Sequence, residues 1–300
     1  MTSGGTHKHL ESVADEISQS YLTKPFSEDS SFSIFTTLRY DPLTYTGKLD
    51  LFDALNATPL HHSFFFLLSY HVDKLRRAGE YFEFPTGNLT TSVLLEHLTN
   101  ALETADRLLA HRVKIIVSQD GVYGIEHAPL PESNTLTTDV PDYHQFQKAP
   151  TDHTSTLPGY LQTWTGWILY LDHEQSQPST FTSFKTTKRD VYNMARSRLN
   201  IVPGDRREVL LQDNNNNVLE GSITSVAFWR QQKDPLSGDV SFRWVTPNLA
   251  SGCMDGVIRK WLIDKNHIIE GVVSVKDLQD GEYVLLMNGL MGIKVAKLIL

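Results

Sequence analysis

The sequence predicts a mixed α+β or α/β protein of two domains, and two observations carry that expectation. Segments with strand character and segments with helical periodicity interleave in both halves of the chain. Between the halves, from Leu130 to Pro158, periodicity disappears and Pro, Ser, Thr, Asp and His dominate, the composition of a linker or long loop. With 300 residues, 40% of them hydrophobic, there is material for two modest cores.

The first half divides as follows. Residues 1–28 are polar and Ser/Thr-rich, an expected arm with one short helix around Leu10–Ile17. Phe32–Tyr40 is rich in aromatic and β-branched residues, which favours a strand. From Ser63 a helix is expected, with Leu68, Val72 and Leu75 on one face and a stop before Pro85. Leu94, Leu95, Leu98, Leu102 and Leu109 recur at helical spacing and predict a second helix. Val113–Val117 is a buried-strand candidate closed by a turn at Asp120-Gly121. Residues 29–129 thus form a small α/β domain and 130–158 a linker, leaving 159–300 as a larger domain.

Within the larger domain, Trp167–Leu171 is apolar and strand-like, and Val191, Ala195 and Leu199 mark one face of a helix. Val209–Leu211 and a strand from Val218 flank Asp213 and the run Asn214–Asn217, which is expected to be a hairpin loop. The second of these strands is expected to carry on through Glu220 into Ala227-Phe228. Phe242, Trp244 and Thr246 alternate as another strand. Val257, Ile258, Trp261 and Leu262 fit a short helix, and Val284–Met287 and Ile293–Leu300 close the chain as strands.

Composition narrows the functions available. A formal charge of -8 and a pI near 5.8 argue against a nucleic-acid or anionic-membrane partner. The single cysteine, Cys253, fits a reducing compartment. The N-terminus lacks an apolar signal region, and the densest apolar run, Phe64–Leu68, is too short to span a bilayer. A soluble, cytoplasmic protein is expected. The phosphate-binding loops G-x-x-x-x-G-K-[ST] and G-x-G-x-x-G are missing, as is the G-x-S-x-G elbow. His61-His62, His71 with Asp73, and His173-Glu174 lack metal-ligand spacing, so no metal is expected and most histidines are assigned to surface or loops.

Four segments carry chemistry: F-T-S-F-K-T-T-K-R-D-V-Y-N-M-A-R (181–196), L-E-G-S-I-T-S-V (219–226), V-T-P-N-L-A-S-G-C-M-D-G-V-I-R (245–259) and L-L-M-N-G-L-M-G (285–292). Lys185, beside Phe184 and a helix, is either an exposed charge or, if drawn inward, a nucleophilic amine. Glu220 either ends a hairpin or pairs with a protonated ring nitrogen. Gly256-Val257-Ile258 is either a turn into a core helix or an anion seat at a helix start. Residue chemistry alone leaves each pair of readings open.

Together and in order, the four segments resemble the class IV (fold type IV) pyridoxal-phosphate (PLP) enzymes, a group of branched-chain and D-amino-acid aminotransferases and 4-amino-4-deoxychorismate lyases. They are most similar to the eukaryotic lyase branch. Weaker similarity runs upstream through F-T-T-L-R-Y-D-P (35–42) and F-F-L-L-S-Y-H-V-D-K-L (65–75). The resemblance implies an α+β fold with a small N-terminal α/β domain and a larger β-rich C-terminal one, often a homodimer. It implies PLP as cofactor and the conversion of 4-amino-4-deoxychorismate to 4-aminobenzoate and pyruvate, a step of folate biosynthesis. A class IV aminotransferase and a catalytically silent PLP-binding homologue are the alternatives.

Residue by residue, the resemblance makes Lys185 the lysine that carries the cofactor and shuttles protons, and Glu220 the partner of the pyridine nitrogen. Val257 and Ile258 match the main-chain phosphate ligands, and Gly289-Leu290 the loop closing that site. Thr37 matches a residue on the substrate face, and Arg189 and Tyr192 residues that support the cofactor or its lysine. Three positions depart from the family pattern. Lys74 stands where the family usually has a phosphate-binding arginine, Ile258 where a threonine is common, and Ser225 where an asparagine is. The substrate carries two carboxylates, and Arg39, Lys114 and Arg259 are the candidate cations for them.

Overall fold

The computed structural model describes residues 32–121, 123–143, 166–233 and 238–300. The expected N-terminal arm with its helix around Leu10–Ile17, and most of the 130–158 segment, lie outside the described residues. Two compact units emerge. The smaller holds Phe184–Lys188 and the described part of Ser18–Asn134; the larger holds the described part of Thr135–Ser183 and of Arg189–Leu300. Composition assigned residues 159–300 to a single domain, whereas the structure returns 184–188 to the smaller unit.

In the smaller unit the elements are β1 (Ile34–Tyr40), α1 (Leu51–Asn56), α2 (Leu68–Phe82), α3 (Thr91–Ala101), β2 (His111–Val117) and β3 (Tyr123–Pro129). The strands form an antiparallel sheet in the order β1-β2-β3. Alternation sorts the side chains by face. Ile34, Leu38 and Tyr40 of β1 and Val113, Ile115 and Val117 of β2 are fully buried, and α2 packs on β1 through a stripe that includes Val72 and Leu75. The opposite face carries Phe35, Thr37 and Arg39, paired in register with Ile116, Lys114 and Arg112. The second expected helix stops at Ala101, short of Leu109. Arg107 donates to the carbonyls of Thr99 and Leu102 there, satisfying the helix end, and Leu109 lies 46% exposed beyond it.

The larger unit contains β4 (Trp167–Gln175), α4 (Thr180–Ser183), α5 (Asp190–Arg198), β5 (Arg207–Gln212), β6 (Val218–Gly221), β7 (Ser225–Lys233), β8 (Val240–Pro247), α6 (Val257–Asp264), β9 (Ile268–Gly271), β10 (Tyr283–Asn288) and β11 (Gly292–Ile299). Its eight strands run β6-β5-β4-β11-β10-β7-β8-β9. The sheet is mixed: β4 is parallel to both β5 and β11, and β8 to β9. Strand β5 is covered on both faces, which explains its unbroken apolar run. Val209 and Leu211 pack with Tyr192 and Ala195 of α5, while Leu210 joins Leu169, Phe228, Leu286 and Leu298.

The Asn214–Asn217 run is the expected loop between β5 and β6. Asp213 Oδ1 accepts from the amides of Asn215 and Asn217, and Asn216 takes a φ of 60° that asparagine tolerates. The expected continuous strand through Glu220 to Phe228 is instead two strands, because the chain turns at Ser222–Thr224. A buried carboxylate causes the break. Glu208 accepts from the amides of Ser222 and Ile223 at 3.1 Å each, from Ser222 Oγ at 2.5 Å and from Thr224 Oγ1 at 3.1 Å. Gly221 is required beside it, since a Cβ there would lie 2.3 Å from Thr224 Oγ1. Among the described residues no helix is long and apolar enough to cross a membrane.

Candidate active site

In the smaller unit, Lys185 is held by its backbone. Residues 185–187 run along the free edge of β1: Phe35 N–H donates to Lys185 O and Thr187 N–H to Ser33 O, both at 2.9 Å, with Ile34 opposite Thr186. Phe184 anchors the approach, stacked on Tyr81 at 4.6 Å and edge-on to Phe82 at 5.3 Å. Thr186 is buried, so its neighbour Lys185 turns toward the other face of the sheet, where Phe35 stands. Lys185 Nζ sits 5.2 Å from the centre of the Phe35 ring, and Lys114 Nζ sits 5.4 Å from the same centre. Thr37 is the register partner of Lys114. Lys185, Thr37 and Lys114 therefore share one sheet face around one aromatic ring, with Lys185 half-buried rather than a free surface charge.

Beneath β1 lies a histidine for which the sequence suggested no role. His71 is 1% exposed, on the buried side of α2, and Thr36 Oγ lies 2.7 Å from its Nδ1. Burial, reinforced by the ammonium groups of Lys74 and Lys185, pushes its pKa down to about 3, so the ring is neutral. Lys74, three residues on along the same face, is itself buried. Cations and a neutral imidazole thus line this part of the unit.

In the larger unit, Glu220 is buried near the end of β6. Its Oε1 accepts the phenolic O–H of Tyr192 at 2.6 Å and the amide of Met254 at 3.2 Å. Burial and the Glu220 carboxylate hold the Tyr192 phenol well above its ordinary pKa, so it is a donor at every working pH. The Arg189 guanidinium lies 4.6 Å from the Tyr192 ring centre and donates to Ser222 O at 2.7 Å. Tyr192 and Arg189 therefore serve Glu220 and the 222–224 turn.

The same turn ties in the remaining positions. Asn288 Nδ2 donates to Ile223 O, and Asn288 Oδ1 accepts from the amides of Leu290 and Met291 at 3.0 Å, which shapes the Gly289-Leu290 loop. Ser225 stands against the start of α6, where a Cβ on Gly256 would lie 2.4 Å from its Oγ. The first-turn amides of Val257 and Ile258 have no acceptor within their helix, and the helix dipole favours an anion before them. Glu220, Gly256-Val257-Ile258 and Gly289-Leu290 are thus gathered within one unit.

Two candidate cations are committed elsewhere. Arg259, 2% exposed, donates to Pro247 O and Glu270, with Asp255 at 3.6 Å. Arg39, 5% exposed, donates to Asp41 at 2.7 Å and to Asn134 O at 2.7 Å. Lys114 is partly exposed, and its Nζ lies 3.4 Å from the exposed carboxylate of Glu126. Cys253 is buried, its thiol pushed up to about 11 chiefly by that burial, and so is unreactive. Sequence reasoning missed Glu208 and His71. Glu208 directly precedes the buried apolar run Val209–Leu211 of β5, which was the available signal.

Residues 50–298 match the model of the family described as amino-transferase class IV. The chain belongs to the class IV aminotransferase family. The aminodeoxychorismate lyase of Saccharomyces cerevisiae is 34% identical over 257 residues, covering 76% of this chain and 66% of the relative. A Schizosaccharomyces pombe protein provisionally named an aminodeoxychorismate lyase is 32% identical over 127 residues, 41% of this chain and 51% of its own length. The chain thus spans between half and two thirds of these relatives. A solved Mesorhizobium loti structure, provisionally described as an amino-acid aminotransferase, superposes with a TM-score of 0.59 at 23% identity, over 90% of this chain and all of that one. That likeness places this class IV chain in the α+β fold.

Proposed function

We propose that this class IV protein is a PLP-dependent lyase converting 4-amino-4-deoxychorismate to 4-aminobenzoate and pyruvate. The similarity to the Saccharomyces cerevisiae lyase carries the choice of reaction. The residues present fit the cofactor: a lysine fixed by its backbone, a buried carboxylate with a protonated neighbour, and first-turn amides without an acceptor in their own helix at a glycine start.

Bound PLP supplies an electron sink conjugated to the substrate amine. Lys185 is the residue that would bear the cofactor, and its Nζ is the base that would take the proton from C4 of the substrate. Loss of that proton and cleavage of the enolpyruvyl C–O bond would expel enolpyruvate, which regains the proton from Lys185 Nζ to become pyruvate, and would leave an aromatic ring, which drives the step. Glu220 would pair with the pyridine nitrogen, its Oε1 already oriented by Tyr192 O–H and Met254 N–H. The amides of Val257 and Ile258 would hold the phosphate beside the Gly289-Leu290 loop, and Lys74 is the cation that would neutralise it. Lys114, beside Thr37, is the cation offered to a substrate carboxylate. Arg39 and Arg259 drop out of that role, because Asp41, Asn134, Pro247 and Glu270 already occupy their guanidinium groups. The reading implies a cytoplasmic enzyme acting on a small molecule, as a homodimer of the kind common in this fold.

The test is incubation with aminodeoxychorismate and no keto acid, with 4-aminobenzoate and pyruvate measured. Multiple turnovers support the lyase. A single stoichiometric conversion that stalls as the aminated cofactor assigns the chain to the aminotransferases instead, and protein that takes up no PLP overturns both.

A further inference from the structure

His71 has one hydrogen-bonding capacity spent and one open. Its Nδ1 meets Thr36 Oγ at 2.7 Å, while its Nε2 is buried without a hydrogen-bond partner. The tautomer follows from counting protons. Thr36 is 1% exposed, and His71 is the hydrogen-bond partner of its hydroxyl. Were Nδ1–H to donate to Oγ, the hydroxyl proton and the Nε2 lone pair would both be buried unsatisfied. With Oγ–H donating to Nδ1, only Nε2–H is left open, and the cost is one group rather than two. The ring cannot take a second proton, since burial beside Lys74 and Lys185 keeps it neutral. The open atom is therefore a donor N–H in the field of the Lys74 and Lys185 ammonium groups, and the complement of an all-donor set is an oxyanion.

We propose that His71 is an anion-binding residue whose Nε2–H, together with Lys74, holds the phosphate group of the cofactor. Lysine is a point charge without the directional fork of arginine. The imidazole supplies at position 71 a fixed donor that Lys74 does not, with Thr36 as the positioning residue that sets its tautomer. The name of the anion rests on the PLP reading; the site itself rests on Thr36, His71 and Lys74.

Apoprotein stripped of cofactor is titrated with PLP and with pyridoxal, which lacks the phosphate. His71→Asn keeps an acceptor for Thr36 but ends short of the Nε2 position, whereas the amide of His71→Gln reaches it. His71→Asn should weaken PLP binding about tenfold and leave pyridoxal binding unchanged, and His71→Gln should recover most of the loss. Thr36→Val, which leaves residue 71 intact and keeps the test alive if His71→Asn does not fold, should give a smaller loss, again for PLP alone. Equal losses for both ligands, or none for PLP, overturn the proposal. A raised KM for substrate with unchanged PLP affinity overturns it too, by making the anion a carboxylate. Inorganic phosphate gives an arm independent of the cofactor. It should raise the Tm of the wild-type apoprotein more than that of His71→Asn. If wild type takes up no PLP, the function fails while this arm still decides the anion site, and equal Tm shifts there overturn it.

Discussion

Tyr192 donates its phenolic proton to Glu220 Oε1 across 2.6 Å in a fully buried contact between α5 and β6. The phenol also lies 3.3 Å from Thr182 O, but it has one proton, and the carboxylate is the stronger and nearer acceptor. One oxygen of Glu220 is therefore spoken for, which fixes the rotation of the carboxylate and so the direction of its other oxygen.

Tyr192→Phe removes that restraint with almost no change in volume. The enzyme should fold, bind PLP and lose about tenfold in kcat with a smaller change in KM, because one hydrogen bond to a charged group is worth about 1.5–3 kcal/mol. A shift in the visible band of bound cofactor should accompany the loss. Steady-state kinetics with absorbance spectra check both, and an unchanged kcat would show that Glu220 needs no such restraint.

Glu208→Ala should destabilise the protein by about 3–5 kcal/mol. It would strand the amides and hydroxyls that the carboxylate collects from Ser222, Ile223 and Thr224, and leave Arg196, 3.7 Å away, without its partner. Urea unfolding at neutral pH measures this. A cost near that of an ordinary surface change would mean that the turn holds itself.

Gly256→Ala places a methyl group 2.4 Å from Ser225 Oγ. Overpacking of this kind costs about 1–3 kcal/mol, and here it falls at the helix start assigned to the phosphate. PLP affinity should drop several-fold and be largely restored in the Gly256→Ala/Ser225→Ala double variant, as measured by equilibrium titration. Absence of rescue would place the damage in the helix backbone.

The pH dependence of apoprotein stability follows from His71. Its folded pKa, about 3, lies below its ordinary value of 6.5, so the unfolded chain binds more protons between those limits. The stability contributed is complete above the unfolded pKa and is lost as pH falls from 6.5 toward about 3, at up to about 1.4 kcal/mol per pH unit. Denaturant unfolding of wild type and His71→Gln at a series of pH values isolates this slope. The variant should be flatter than wild type over that window, and parallel curves would count against a buried neutral imidazole.

Much of the fold was legible because burial leaves a periodic trace. The stripe of Val72 and Leu75, the alternation of Phe242, Trp244 and Thr246, and the asparagine loop all appear where pattern placed them. The failures share a cause. The break after Gly221 depends on Glu208, distant in sequence, reaching from β5 to the neighbouring turn to gather donors, and no local periodicity encodes that. The end of α3 depends likewise on Arg107 folding back onto carbonyls. At the candidate site, residue chemistry left Lys185 and Glu220 open and the resemblance of ordered motifs singled them out, whereas the immobilisation of Lys185 by Ser33 and Phe35, the tie from Tyr192 to Glu220 and the burial of His71 are tertiary facts. Arg39 and Arg259 show the converse: a cation in a suggestive motif can be committed to internal partners such as Asp41 and Glu270.

The route of the chain through Phe184–Lys188 bears on how the protein is made. During synthesis the sheet of the smaller unit is complete in its own strands by Pro129, yet the segment that covers the edge of β1 is delivered more than fifty residues later. Until then the nascent chain presents an open strand edge and has no reactive amine against it, a vulnerable interval for self-association. Severing the chain between Asn134 and Thr135 would therefore yield an N-terminal fragment that is born without its lysine and a C-terminal fragment carrying a loop with no sheet to dock on.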